Sequence, residues 1–210
     1  MKFDLPGINN YNDKFVESLF TPCQLADVNN NVKIFKTIIP ELIWDEVLQL
    51  TLEAKKLKSH PLSLLRCHYN EGKNSFQVSV NQRLFEESFL YPYIIFAGQK
   101  YISMLENVSC HSLTRKVGIR KYTGHYDGYD FWFNFSDIGD VNPPHSHAGS
   151  LSAVIYISNT ENLPTVFDGG FEYNGISKEM LLFPSHLQHE VRENTIGERI
   201  TASFNLEYNA

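Results

Sequence analysis

The sequence predicts an α+β, mainly β chain, a single domain in which helices from the first half pack on the outside of a β-barrel or sandwich. Three observations carry that prediction. Apolar residues recur every three to four positions before residue 108 and every second position after it. Asp127-Gly128, Asn142-Pro143-Pro144, Asp168-Gly169-Gly170 and Asn174-Gly175 punctuate the second half into short segments. The 210 residues hold no repeat or long linker, and 42% hydrophobic with 20% charged content is ordinary for a globular chain.

Taken in order, residues 1–37 are mixed, with Asn29-Asn30-Asn31 marking a turn. From Pro40, the spacing of Leu42, Ile43, Val47, Leu48 and Leu52 predicts an amphipathic helix to about Leu57, with Glu41, Asp45 and Glu46 near its amino end. A second helix is expected over 82–106, kinked or split at Pro92, with Phe85, Phe89, Tyr91 and Phe96 packing a core. Residues 1–109 thus read as a helical and mixed support, and 110–210 as the β core, within one 1–210 domain. Strands are predicted at 113–122, 130–136, 150–158, 165–167, 171–173, 179–183 and 198–208. In the longest two the faces separate cleanly. Leu151, Ala153, Ile155 and Ile157 oppose Ser150, Ser152, Val154, Tyr156 and Ser158. Ile200, Ala202, Phe204 and Leu206 oppose Arg199, Thr201, Ser203, Asn205 and Glu207. One face packs and the other meets water, either bulk solvent or a ligand-filled cavity.

Composition narrows the function classes. A net charge of −6 disfavours nucleic acid as the main partner. The cluster of Arg115, Lys116, Arg120 and Lys121 reads as a solvated strand face. No apolar run approaches the ~20 residues that cross a bilayer. The start, Met1 to Gly7, places an acid and a proline where a signal peptide has its apolar core. Cys23, Cys67 and Cys110 form no CxxC and are odd in number, as for thiols of a reducing compartment. The expectation is an intracellular, cytoplasmic protein; any homodimer contact would fall to the first-half helices.

The densest reactive stretch is Asn142-Pro143-Pro144-His145-Ser146-His147. Residues two apart on an extended chain point to one side, so both imidazoles can meet one metal ion. The two prolines, lacking N–H donors, belong at a strand start or a sheet edge. His189 follows 42 residues after His147, and a closed barrel would return it beside the pair. Ten residues further, past Asn194 and Gly197, lies Arg199; a hairpin of that length puts it on the neighbouring strand with Thr201 on the same face. Arginine offers a planar fork for a carboxylate, and the hydroxyl adds a contact. Against this, Glu198 or Glu207 would neutralise a surface arginine. Asp168, the other candidate metal ligand, reads first as part of a hairpin turn. His125 and Asp127 lie in a Gly-rich loop bordering the pocket or facing solvent, and His186 at a turn has no assigned role.

The segments Trp132-Phe-Asn134, His145-Ser-His147, Ser150 to Tyr156, Leu182-Phe-Pro-Ser185 with His189, and Glu198 to Asn205 together resemble the 2-oxoglutarate- and Fe(II)-dependent oxygenase superfamily, nearest its small bacterial and phage branch. The likeness covers about 110–210. It implies a double-stranded β-helix, a jelly-roll or cupin-like barrel, and an oxygenase or hydroxylase that converts 2-oxoglutarate and O2 to succinate and CO2. It further implies that His145 and His189 bind Fe(II), and that Arg199 and Thr201 grip the distal carboxylate of 2-oxoglutarate with help from Tyr156. One departure stands out. The usual site is two histidines and a carboxylate, and the carboxylate's position is here His147, taken as the third ligand. The primary substrate is open between a small molecule and a protein side chain. Two other readings remain: a three-histidine metal enzyme without 2-oxoglutarate, such as a cupin-type dioxygenase or a zinc enzyme, and a non-catalytic barrel that binds.

Overall fold

The computed structural model describes residues 18–20, 22–29, 32–58, 76–113, 116–121, 128–158, 160 and 162–209. They form two antiparallel sheets and three α-helices. The strands are β1 (Cys23–Asn29), β2 (Val32–Ile38), β3 (Phe76–Ser79), β4 (Val117–Ile119), β5 (Phe131–Ser136), β6 (Asn142–His145), β7 (Leu151–Ser158), β8 (Thr165–Phe167), β9 (Phe171–Tyr173), β10 (Glu179–Pro184), β11 (His189–Val191) and β12 (Arg199–Tyr208). The large sheet runs β1-β2-β10-β7-β12-β5-β3, with β4 also on β12, and the small sheet runs β6-β11-β8-β9. The large sheet draws on both parts of the chain: β1, β2 and β3 precede residue 110 yet pair into it.

Helix α1 (Glu41–Lys58) starts where expected, the carbonyl of Pro40 accepting from the Trp44 N–H at 2.8 Å. Its buried face is Ile43, Trp44, Val47, Leu50 and Ala54, whereas Leu42, Leu48 and Leu52 are exposed. At about 100° per residue, Ile43, Val47, Leu50 and Ala54 fall within about 60°, while Leu42 and Leu48 stand about 120° apart. A single helix face cannot bury both sets, and the tighter stripe is the one that packs.

The expected helix over 82–106 divides into α2 (Gln82–Glu86) and α3 (Leu90–Glu106). The break falls at Glu87–Phe89 rather than at Pro92. Pro92 occupies the first turn of α3, where a backbone N–H has no intrahelical acceptor and its loss costs nothing. The Leu90 N–H there donates to Glu46 Oε2 of α1 at 2.9 Å, a carboxylate also favoured at a helix N-terminus. Phe85 and Tyr91 are buried as expected, but Phe89, at the break, is 56% exposed.

Both faces of the large sheet are covered. Ala153, Ile155, Ile157, Ile200, Ala202, Phe204 and Leu206 join α1 and α3 in one core. On the other face Val154, Tyr156, Leu181 and Phe183 pack with Phe167, Phe171 and Tyr173 of the small sheet. Ser152, Thr201, Ser203 and Asn205 therefore meet the space between the sheets, not bulk water, and all four are buried.

Arg120 is ion-paired to Asp130 at 3.0 Å and Glu207 at 3.2 Å, and Lys121 lies over the Tyr129 ring. Cys23 and Cys110 form no disulfide among the described residues. Cys67, Arg115, His125 and Asp127 lie outside the described residues, and among those described no helix is long and apolar enough to cross a membrane.

Candidate metal and anion site

Strand β6, Asn-Pro-Pro-His, is an edge of the small sheet, where proline's missing donor leaves no ladder bond unmade. Its partner β11 sets His189 opposite His145. Direct opposition brings side chains together, and the two rings lie 4.4 Å apart between centroids. His147, two residues past His145, is fixed by its own N–H donating to the Ser185 carbonyl at 2.9 Å. Its ring stands 4.8 Å from His145 and 5.1 Å from His189. The three donor atoms lie within 4.8 Å of one another.

The backbone selects the tautomer. His145 Nδ1 meets the Pro143 carbonyl at 2.7 Å, and His189 Nδ1 the Leu187 carbonyl at 3.1 Å. A carbonyl only accepts, so each Nδ1 carries the proton and Nε2 keeps its lone pair, as a metal-binding imidazole requires. Burial, reinforced by His145, lowers the His189 pKa to about 4, holding it neutral at ordinary pH. Its folded pKa lies below the unfolded value near 6.5, so the unfolded chain binds more protons between those values. The metal-free protein is expected to lose stability as pH falls from about 6.5 through 4, and His189→Asn should flatten that slope in urea denaturation followed with a chelator present.

Asp168 is not in the cluster. Phe167 and Phe171 pair across the β8–β9 turn, Gly169 and Gly170 take positive φ, and Asp168 Oδ1 accepts from the Gly169 N–H at 2.9 Å. The hairpin role stands.

Arg199 reaches the site differently from the sequence reading. Strands β11 and β12 do not form a hairpin: β11 pairs with β6 and β8, while β12 pairs with β4, β5 and β7. The chain crosses from one sheet to the other, held by the buried Asn194. Its amide donates to the Ser136 and Gly197 carbonyls at 2.9 and 2.7 Å and accepts from Ile196 N–H at 3.0 Å. Arg199 and His189 consequently line the same space from different sheets. That pocket is bounded by all three histidines, Arg199 and Thr201.

Arg199 is 5% exposed, and among the described residues its Nε is buried without a partner. Burial lowers its pKa, with Tyr156 acting in the opposite sense. The acids that would have neutralised it are engaged elsewhere: Glu198 with Lys55, and Glu207 with Arg120. An unpaired buried guanidinium is costly unless an anion joins it. Tyr156 lies fully buried nearby, its hydroxyl 3.0 Å from Thr165 Oγ1 on the pocket wall. Gly175 permits this placement, because a Cβ there would sit 2.3 Å from Tyr156 Cγ. Gly175→Ala should therefore cost about 1–3 kcal/mol in thermal or urea unfolding.

Sequence reasoning gave no role to several lining residues. Trp132, Asn134 and Ser136 stand along one face of β5, with Gln77 opposite Asn134 on β3 and Ser203 on β12. The signal was the alternation in Phe131–Ser136, where Phe131, Phe133 and Phe135 take the other face.

No protein-family model and no curated protein matches the chain by sequence. Solved structures do match by fold. A 2OG-Fe(II) oxygenase family oxidoreductase from Burkholderia pseudomallei superposes with TM-score 0.53 at 12% identity, covering 82% of this chain and 85% of that one. A Pseudomonas putida prolyl-4-hydroxylase gives 0.53 at 13% identity over 94% and 99%. The chain has the fold of the 2OG-Fe(II) oxygenases. SnoN, a non-heme alpha-ketoglutarate-dependent epimerase from nogalamycin biosynthesis, gives 0.54 at 11% identity over 82% and 76%. This oxygenase fold accounts for the two antiparallel sheets as a jelly-roll arrangement.

Proposed function

We propose that the protein is an Fe(II)- and 2-oxoglutarate-dependent oxygenase that hydroxylates a small molecule or a protein side chain, releasing succinate and CO2. One observation carries this reading: a single pocket holds three convergent imidazoles and a buried guanidinium whose Nε has no partner among the described residues. Those residues fit the cofactor and cosubstrate, since imidazole suits iron and the arginine fork suits a carboxylate. When bound, iron and the 2-oxo acid supply the oxidation of the substrate by O2.

The chain's residues do the holding. His145, His147 and His189 present ring nitrogens to the metal, with the Pro143 and Leu187 carbonyls fixing two of the tautomers. Arg199 receives the distal carboxylate and Thr201 contributes its hydroxyl. Tyr156 steadies Thr165 on the wall beside them. The two sheets, read as a double-stranded β-helix, keep this end of the cosubstrate out of water.

Calorimetric titration of 2-oxoglutarate into oxygen-free, Fe(II)-loaded protein tests the reading. The expected result is saturable heat that vanishes without the metal. Metal held with no 2-oxoglutarate bound overturns it and favours a three-histidine metal enzyme. That second reading has its own support, because the donor cluster contains no carboxylate among the described residues.

A further inference from the structure

The polarity of one hydrogen-bond chain in the pocket wall is forced. The indole Nε1–H of Trp132 can only donate, and it donates to Asn134 Oδ1 at 3.1 Å. The amide of Asn134 is thereby oriented, and its Nδ2 turns to β12. There it donates to Ser203 Oγ at 3.0 Å and to Thr201 Oγ1 at 3.3 Å. Both hydroxyls accept, so their own hydrogens must point elsewhere. Both line the pocket, on the same face of β12 as Arg199, and among the described residues neither is seen donating. The Trp132 ring also lies 5.4 Å from that of His147, so the chain begins at the candidate metal cluster.

We propose that Asn134 is a positioning residue that turns the hydroxyl hydrogens of Thr201 and Ser203 into the pocket, making the wall beside Arg199 a receptor for the distal carboxylate of a dicarboxylic 2-oxo acid. The inference rests on the oxygenase reading above and deepens it. With the amide in place the carboxylate meets a guanidinium and two hydroxyl donors. An aspartate at position 134 has no N–H to give. The hydroxyls would then donate to it, showing lone pairs and an added negative charge to the incoming anion. Trp132→Phe removes the donor that orients the amide and lets it turn over, without adding charge.

The experiment compares 2-oxoglutarate with 2-oxobutyrate, which lacks the distal carboxylate, by calorimetry on oxygen-free, Fe(II)-loaded parent, Asn134→Asp and Trp132→Phe proteins. Asn134→Asp is expected to weaken 2-oxoglutarate on the order of 100-fold, from charge-assisted hydrogen bonds lost. Its affinity for 2-oxobutyrate should stay within about threefold, the same metal end being used. Trp132→Phe should show the same selectivity with a smaller loss, and it carries the test if Asn134→Asp gives no cooperative unfolding transition. Unchanged 2-oxoglutarate affinity, or equal losses for both acids, overturns the positioning role while leaving the oxygenase reading intact. No 2-oxoglutarate binding by the parent overturns both.

Discussion

Arg199→Met is expected to have two effects of opposite sign: loss of 2-oxoglutarate binding, and a gain of about 1–3 kcal/mol in the stability of the ligand-free protein. Both follow from the burial of an uncompensated charge. Arg199 is buried in the space between the sheets with Nε unpartnered among the described residues, and the neighbouring acids Glu198 and Glu207 are held by Lys55 and Arg120. Methionine follows the aliphatic stem and removes the charge, so the desolvation cost disappears with little lost packing. With metal and 2-oxoglutarate at saturation the order reverses, because only the parent gains stability by mass action. Urea denaturation of both proteins, with and without Fe(II) and 2-oxoglutarate under oxygen-free conditions, reads all four states. A variant less stable than the parent without ligand would mean that Arg199 supports the fold itself.

The same burial explains what was legible in the sequence and what was not. Local rules reach most strands of the second half, though not the short β6 and β11 that carry His145 and His189, together with the prolines at a sheet edge and the Asp168-Gly169-Gly170 turn, since each depends on neighbours in the chain. His145 and His147 were readable as a pair because a period of two is a local property. Which sheet a strand joins is not local. The step from His189 to Arg199 looks like a hairpin by length, and only the anchoring of Asn194 to Ser136 and the pairing of β12 with β5 and β7 make it a crossing. Strands β1 to β3 are harder to read: β1 forms a hairpin with its neighbour β2, but β2 joins the sheet only through β10, and the four-residue β3 only through β5, both far along the chain. Leu42, Leu48 and Leu52 fit a three- to four-residue spacing yet stay exposed, because the angle between positions, not spacing alone, decides which stripe packs. Trp132, Asn134 and Ser203 belong to a network whose hydrogen bonds span up to 69 residues, beyond any spacing rule.

His189→Ala should weaken metal binding by more than about 100-fold, the upper range for losing only a residue that orients a ligand. Two imidazoles would remain, and the lost one is among the best placed: 5% exposed, neutral, and with Nδ1 tied to Leu187. His147→Asp should behave differently. It keeps a donor at the third position, on a backbone fixed by the bond to Ser185, and so should retain the metal. What changes is charge. Three neutral imidazoles leave a divalent ion its full positive charge, whereas a carboxylate cancels part of it. The parent site should hence favour an anionic cosubstrate more strongly than the aspartate variant, beyond the share contributed by Arg199. Competition with a chromogenic chelator measures the first effect, and 2-oxoglutarate titration of the metal-loaded His147→Asp protein measures the second. If His147→Asp binds 2-oxoglutarate as tightly as the parent, the third histidine contributes no charge selectivity. If His189→Ala keeps its metal, the cluster of His145, His147 and His189 is not the metal site.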